Sequence, residues 1–200
     1  MIVRAPGASM PSSDDIVAAL KAAAREGSLS ACFILGRLHD EGWGVRHDPR
    51  SATRWYLRAA EGDLPEAFFF VASAYMVGDG IEQDARRAIY WYRQAAAARD
   101  RTAEYALAVA TLDGRGVRKN VAAGIRQLKR VAPHFPAAME YLAAHYAQHD
   151  RLALAKKWAT RAVRRGEESA RLWLAEINKR LKRRRRSRSS SRTSRRPRAS

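Results

Sequence analysis

Few side chains in this sequence are of types that do chemistry on their own, and those few are poorly grouped. His145 and His149 lie four residues apart, which places two imidazoles on one face of a helix, as in some metal sites. No carboxylate or cysteine at suitable spacing completes a ligand set around them. His39 occupies the column held by Tyr75, which favours a packed, hydrogen-bonded structural residue, and His47 and His134 are loop residues without partners. We therefore predict no metal site and no cofactor.

The sequence also lacks the motifs of common catalytic sites. Its Gly-x-Gly turns are not followed by the Gly-Lys-Ser/Thr sequence that a phosphate-binding P-loop needs, and no nucleophile-elbow pattern is present. The acidic pairs Asp40-Glu41 and Glu167-Glu168 fall at the ends of predicted helices, where acids commonly interact with the helix dipole or with water. We predict that the chain is not an enzyme and has no small-molecule substrate.

Cysteine content and hydropathy indicate in which cellular compartment the protein is expected. Cys32 is the single cysteine, which excludes an intramolecular disulfide and a cysteine-cluster zinc or iron–sulfur site. The first 13 residues contain no apolar run of the kind a secretory signal peptide carries, and no window resembles a membrane span. We expect an intracellular, cytoplasmic protein, with the nucleus open for a eukaryotic host and a secreted effector not excluded by this pattern.

A repeat of 36 residues organises the chain. A Gly-x-Gly turn, an alanine, an Asp or Asn and a Trp-Tyr pair recur at this step, a periodicity typical of stacked repeat architectures. The turns are Gly42-Trp43-Gly44-Val45, Gly78-Asp79-Gly80-Ile81 and Gly114-Arg115-Gly116-Val117; the other columns are Ala31, Ala67 and Ala103, Asp48, Asp84 and Asn120, and Trp55-Tyr56 with Trp91-Tyr92.

Each repeat is predicted to contain two helices. In the first, Ala31, Leu35 and His39 recur at i, i+4 and i+8, which places them on one helical face. The Gly-x-Gly turn then supplies the positive φ angles that end a helix, and Asp48 stands where an N-cap of the second helix is needed. One repeat cannot cover its own apolar face, so neighbouring repeats must stack.

The repeat weakens toward the C-terminus. Gln127-Leu128 replace the aromatic pair of the third copy, and the fourth copy has no Gly-x-Gly turn. Ala137 and then Ala170 continue the alanine column, with Trp158 in the tryptophan column. Lone helices at both ends are typical of the caps of a solenoid.

These observations predict an all-α fold, a right-handed α-α solenoid of about four helix-turn-helix repeats with capping half-repeats and a disordered basic C-terminal tail. The predicted parts are a flexible N-terminus at 1–13, a solenoid at 14–181 with a capping helix at 14–26, repeats near 31–66, 67–102, 103–136 and 137–169 and a capping helix at 169–181, and the tail at 182–200.

The motif Ala-x3-Leu-Gly-x2-(His/Tyr)-x2-Gly-x-Gly-Val-x2-Asp, followed by Ala-x2-Trp-Tyr-x2-Ala-Ala-x2-Gly, resembles the Sel-1-like repeat family, which is related to tetratricopeptide repeats. The resemblance covers roughly residues 16–178 and is closest in the first two copies. It implies a scaffold or adaptor that recognises partner proteins on the concave face of the solenoid, and it implies no reaction.

One stripe on each first helix is predicted to line that concave groove. Large apolar residues stand two positions before the leucine column, and residues four and seven positions further on share their helical face. The bulky column could instead fill gaps between neighbouring first helices. The stripe becomes more apolar along the chain, which suits a partner helix or extended segment with a basic end near Asp40. The predicted partner-binding residues are Phe33, Arg37, Phe69, Ser73, Met76, Tyr105, Val109, Leu112, Met139, Ala143 and Tyr146.

The C-terminal tail differs in composition from the rest of the chain. The formal net charge is +18, twelve of the 38 Lys and Arg residues follow Asn178, and no acid follows Glu176. Such a segment suits nucleic-acid phosphates, anionic membranes or an import receptor, or it is a solubilising extension in an arginine-rich proteome. Because it has no aromatic residue, we expect no base-specific recognition. The predicted anion-binding residues are Lys182, Arg183, Arg184, Arg185, Arg186 and Arg188.

We therefore expect a protein–protein interaction scaffold that holds a partner peptide or helix in the concave groove while the basic tail contacts an anionic partner. The alternative is an accessory protein that binds nucleic acid or another polyanion mainly through the arginine-rich tail, with the solenoid only docking it.

Overall fold

The computed structural model describes the backbone of residues 12–193 and the side chains of residues 12–186. Most of the predicted flexible N-terminus and residues 194–200 lie outside this part of the chain. Within it the protein has no strand and forms these helices: α1 Ser13–Arg25, α2 Leu29–Glu41, α3 Pro49–Glu61, α4 Pro65–Val77, α5 Ala85–Ala97, α6 Arg101–Asp113, α7 Val121–Val131, α8 Pro136–Gln148, α9 Leu152–Arg164 and α10 Ser169–Thr193. The all-α repeat fold is confirmed.

The second helix of each of the first three repeats begins at the predicted cap. The Asp48 carboxylate accepts hydrogen bonds from the backbone N–H groups of Arg50 and Ser51, and Asp84 makes the equivalent pair of bonds at the start of α5. Asn120 accepts from the N–H of Ala123 at the start of α7. These bonds satisfy donors that the first turn of a helix leaves unpaired.

The Gly-x-Gly turns hold the repeats together as well as ending the first helices. Gly78 ends α4 in the left-handed conformation. Gly80, with a φ of 68°, lies directly against the backbone of Pro49 at the start of α3 in the preceding repeat. A β-carbon at residue 80 would fall on the Pro49 carbonyl, so the close approach requires glycine. Gly116 meets the carbonyl of Ala85 at the start of α5 in the same way.

The described chain divides into two compact units. Unit 1 runs to Ala110 and includes Gly114–Lys119; in it α1 packs on α2, α2 on α3, α3 on α4 and α4 on α5. Unit 2 comprises Thr111–Asp113 and the chain from Asn120 onward; in it α7 packs on α8, α8 on α9, and α10 on both α8 and α9. Apart from α8 with α10, the helices of each of these pairs are neighbours in sequence, as in a stacked helical repeat.

The core of unit 1 contains the small and medium-sized residues of the predicted face. Leu35 and Val71 are completely buried together with the alanine column. Of the Trp-Tyr pairs the tyrosines are the core members: Tyr56 and Tyr92 are buried, whereas the tryptophans before them are half-buried. The tyrosine rings of the second helices therefore pack over the small residues of the first helices.

The fourth repeat begins one residue later than the sequence predicts. Ala138, not Ala137, is the buried alanine, and Leu142 and Tyr146 complete its i, i+4, i+8 face. The reason is helix phase, since α8 starts at Pro136 and every preceding first helix places its column alanine at the third helical position. A one-residue shift turns each side chain by about 100° around the helix axis.

Helix α10 continues past the predicted boundary at residue 181. The helix includes residues 182–193, and residues 194–200 of the predicted disordered tail lie outside the described part of the chain. Arg and Lys have good helix propensity, and extending an existing helix requires no new nucleation. Asp150 also holds this helix, because its carboxylate pairs with Arg180 at 3.2 Å and with Arg184.

Candidate protein-binding surface

In unit 1 the predicted stripe residues Phe33 and Arg37 on α2, Phe69 and Ser73 on α4, and Tyr105 and Val109 on α6 are all half-buried. They occupy equivalent positions 36 residues apart. Phe33 packs its ring against Tyr56 at 5.8 Å and Phe69 packs against Tyr92 at 5.7 Å between centroids. Phe33 and Phe69 therefore each pack against a tyrosine of a second helix and leave part of the ring exposed to solvent.

Five other stripe residues have buried side chains in this structure. Met76 and Leu112 stand at the third stripe position, and both are buried. Their position seven residues after the bulky column turns them toward the second helices. The remaining three belong to the fourth repeat, where the one-residue shift turns the whole stripe inward. The stripe prediction is thus corrected at Met76, Leu112, Met139, Ala143 and Tyr146.

The structure adds two residues to this surface that the column rule missed. Phe70 is half-buried, with its ring 5.4 Å from Phe33 and 4.8 Å from Tyr56, and the Arg37 guanidinium lies 6.0 Å from it. Val77 lies seven residues later on the same side of α4 and is 63% exposed. Phe70 was not predicted because it belongs to the run Phe68-Phe69-Phe70, and the repeat spacing does not show which of three identical residues is exposed. We call Phe33, Arg37, Phe69, Phe70, Ser73 and Val77 the aromatic face.

A small cavity of about 80 Å³ lies at the edge of the aromatic face, with Asp40, Tyr56, Phe70, Ser73 and Val77 in its wall. The Tyr56 hydroxyl donates a hydrogen bond of 3.1 Å to the half-buried Asp40 carboxylate. Burial, together with the negative charge of Asp40, raises the pKa of Tyr56 well above its ordinary value, so this hydroxyl remains a donor. The wall thus offers one carboxylate beside aromatic surface.

The histidine pair lies in unit 2. The rings of His145 and His149 are 4.3 Å apart, and Nδ1 of His149 is 2.8 Å from the carbonyl of His145. Burial, and then the charge of His149, lowers the pKa of His145. Across the described residues no group of three or more His, Cys, Asp or Glu side chains is placed to hold a metal ion.

The predicted anion-binding residues extend along α10. The side chains of residues 182–186 are exposed, and Arg184 also forms the ion pair with Asp150. The side chain of Arg188 lies outside the described residues. None of the helices in the described chain has the length and apolar character needed to span a membrane.

Comparison with known proteins places the repeat in a family. The model of the Sel1 repeat matches residues 29–64, 65–100 and 102–126. A comparison with curated proteins finds no match. The matched segments begin at the first residues of α2 and α4 and one residue after the start of α6, close to the 36-residue step of the sequence.

Three solved structures are similar to this chain. A Sel1 repeat protein from Oxalobacter formigenes is 30% identical with a TM-score of 0.65, over 74% of this chain and 63% of that one. The protective antigen c5321 of uropathogenic Escherichia coli, which displays an SLR fold, is 24% identical with a TM-score of 0.69, over 79% and 35%. The immunity protein Pa5087 from Pseudomonas aeruginosa is 19% identical with a TM-score of 0.50, over 81% and 62%.

This chain therefore spans less than two thirds of the length of each of these structures. Proteins with Sel1 repeats are generally protein-interaction scaffolds, and the family is not an enzymatic one. Three matched Sel1 repeats, with helices, caps and turns that recur as the repeat requires, support a Sel-1-like repeat family for this chain.

Proposed function

We propose that this chain is a protein-interaction scaffold that binds an apolar segment of a partner protein on the aromatic face of unit 1. The observation that carries the proposal is the exposure of Val77 beside half-exposed aromatic rings. Phe70, Ser73 and Val77 are three and four residues apart and share one side of α4. Aromatic and arginine side chains are enriched where proteins bind each other.

A carboxylate at one edge of the aromatic face would set the orientation of a bound segment. The Asp40 carboxylate stands at one edge of the aromatic face, and its hydrogen bond to the Tyr56 hydroxyl fixes its position. A partner segment with apolar side chains and one Lys or Arg at its end would cover the rings and pair with Asp40. On α6, Tyr105 and Val109 would extend the contact, since they repeat the positions of Phe69 and Ser73.

Affinity capture with matched substitutions tests this proposal. The full chain, Val77→Glu and Tyr90→Glu are used as baits in extract of the organism that makes the protein. Tyr90 is a suitable control, because it is 55% exposed and lies on the second helix α5. We expect Val77→Glu to lose the partner at an unchanged melting temperature and Tyr90→Glu to retain it. Retention of every partner by Val77→Glu would contradict the proposal.

A second proposed function concerns the basic part of α10. Exposed cations continue along this helix after residue 181, and general electrostatic attraction to phosphate polymers follows from such a density of charge. The tail would then bring an anionic partner to a protein already held by unit 1. Replacing Lys182, Arg183 and Arg185 by Gln should weaken binding of a single-stranded oligonucleotide and lower its salt dependence by about 2 in log–log slope, at about 0.7 per lost contact. Unchanged binding would contradict a role for the tail.

A further inference from the structure

Unit 2 contains a basic pocket that the proposed functions above do not use. A cavity of about 370 Å³ opens between the C-terminal ends of α7 and α9 and the first half of α8. This volume lies in the range of sites for small organic groups. Every residue in its wall is cationic or apolar: Lys129, Pro133, Met139, Trp158, Arg161, Arg164 and Arg165.

The cations of the wall surround an aromatic platform. The Arg161 guanidinium lies over the ring of Trp158, 5.0 Å from its centroid. Lys129, also in the wall, lies 5.9 Å from the ring of Tyr146. A planar guanidinium over an indole presents a flat surface on which a nucleic-acid base can stack. Met139 and Trp158 supply the apolar part of the wall that such a base would contact.

The charge of these helices exceeds what an arginine-rich composition explains. Helices α7 and α9 contain seven Lys and Arg residues and no acid, and α3 and α5 contain six with the single acid Glu61. The first helices α2, α4, α6 and α8 each carry one more acid than base. Compositional bias would raise the charge of both sets alike, so the second helices have a separate basic surface.

Further cations continue the wall along both helices. Arg126 is three residues before Lys129 on α7, and Lys157 is four residues before Arg161 on α9, so each shares a face with a pocket residue one turn away. Both side chains are exposed. A ligand with one negative charge would use only the pocket, whereas a chain of phosphates could contact the whole row.

We infer that unit 2 binds single-stranded nucleic acid in this pocket, with one base stacked on the Arg161–Trp158 platform and flanking phosphates on the cations of α7 and α9. Positive grooves combined with aromatic platforms are the usual means of binding single strands without sequence preference. The site is distinct from the arginine-rich segment after residue 181, whose sequence has cations but no aromatic residue.

Fluorescence anisotropy with a labelled oligothymidylate of about 12 nucleotides tests the inference on the full chain. The pocket variant replaces Lys129, Arg161 and Arg165 by Gln, and the matched control replaces Arg54, Arg58 and Arg86. The control removes the same charge from exposed second-helix positions, including the Arg58 guanidinium 5.9 Å from the Trp55 ring, and leaves the tail intact. Melting curves establish that both variants fold, and Lys129→Gln alone serves if the triple variant does not.

We expect the pocket variant to bind about tenfold more weakly and to lose about 2 from the log–log salt slope, while the control changes less than twofold. An abasic oligomer of the same length should bind the wild type more weakly than oligothymidylate does. The pocket variant should bind the two oligomers with equal affinity. Equal losses in the two variants, or no penalty for the abasic oligomer, would overturn the inference. Competition by polyglutamate as effective as that by oligothymidylate would overturn it in favour of an acidic protein ligand.

Discussion

Gly80 lies against the backbone of Pro49 so closely that no side chain fits between them. This contact joins the Gly-x-Gly turn of one repeat to the first residue of α3 in the repeat before it. The 36-residue step is therefore also the spacing of the inter-repeat contacts, and Gly116 with Ala85 makes the next one.

Gly80→Ala should destabilise unit 1 by more than about 3 kcal/mol, since a positive φ alone costs about 1–2 kcal/mol for a residue with a β-carbon and the collision with Pro49 adds to it. Gly27→Ala is the control, because its φ of 97° is also positive but no atom lies within 4 Å of the added carbon. Urea unfolding measures both. Equal losses would mean that the approach of the turn to α3 is unimportant.

Tyr92→Ala should cost about 3–5 kcal/mol, the range for removing a buried aromatic side chain. Trp91→Ala should cost about 1–2 kcal/mol, because half-burial leaves less surface to be exposed. The same unfolding measurement compares them. A larger loss for Trp91→Ala would show that the phase of α5 is wrong.

Stability should fall as the pH is lowered through about 6.5, the ordinary pKa of histidine. Burial, and then the charge of His149, lowers the pKa of His145, so the folded state binds fewer protons than the unfolded state in this window. Protonation therefore favours unfolding until the pH passes below the folded-state pKa. His145→Gln should flatten this dependence below about pH 6.5 when urea unfolding is measured over a pH series, and an unchanged slope would contradict it.

Asp150→Ala should loosen the C-terminal half of α10, because the carboxylate pairs with both Arg180 and Arg184. Hydrogen exchange of amides after residue 180 should become faster, with little change in the core of unit 2. Exposed ion pairs contribute about 0–1 kcal/mol each, so the effect should be local. Glu168→Ala, which removes only the exposed pair with Arg171, is the control, and identical exchange in the two variants would contradict the anchoring role.

The strictly repeated parts of this fold were predictable from the sequence, because each column had a local physical reason. Asp48 and Asp84 cap helices and Gly78 ends one, and side chains and φ angles at those positions act over three or four residues only. Ala138 was missed because the fourth copy has no Gly-x-Gly turn to set its phase. The spacing from Pro136 to Ala138, which matches that from Pro65 to Ala67, was the signal that could have set it.

The surface was less predictable than the core. Periodicity correctly placed Phe33 and Phe69 on a partly exposed face of their helices. It could not show that Met76, seven residues after Phe69, is buried, because that depends on how the second helix packs across the first. The pocket around Trp158 was also not predicted, because it too depends on how the helices pack. Its cations come from two helices, with Lys129 on α7 and Arg161 on α9 lying 32 residues apart in sequence, and only packing brings them together.

Site-specific photocrosslinking tests the scaffold function most directly. A photoreactive phenylalanine analogue replaces Val77 in one sample and Tyr90 in another, and both full-length proteins are irradiated in native extract. We expect one dominant protein adduct from position 77, lost when Phe70→Ala is added, and no such adduct from position 90. The same adduct from both positions, or none from position 77 while the partner still co-purifies, would contradict the assignment of the aromatic face as the partner-binding surface.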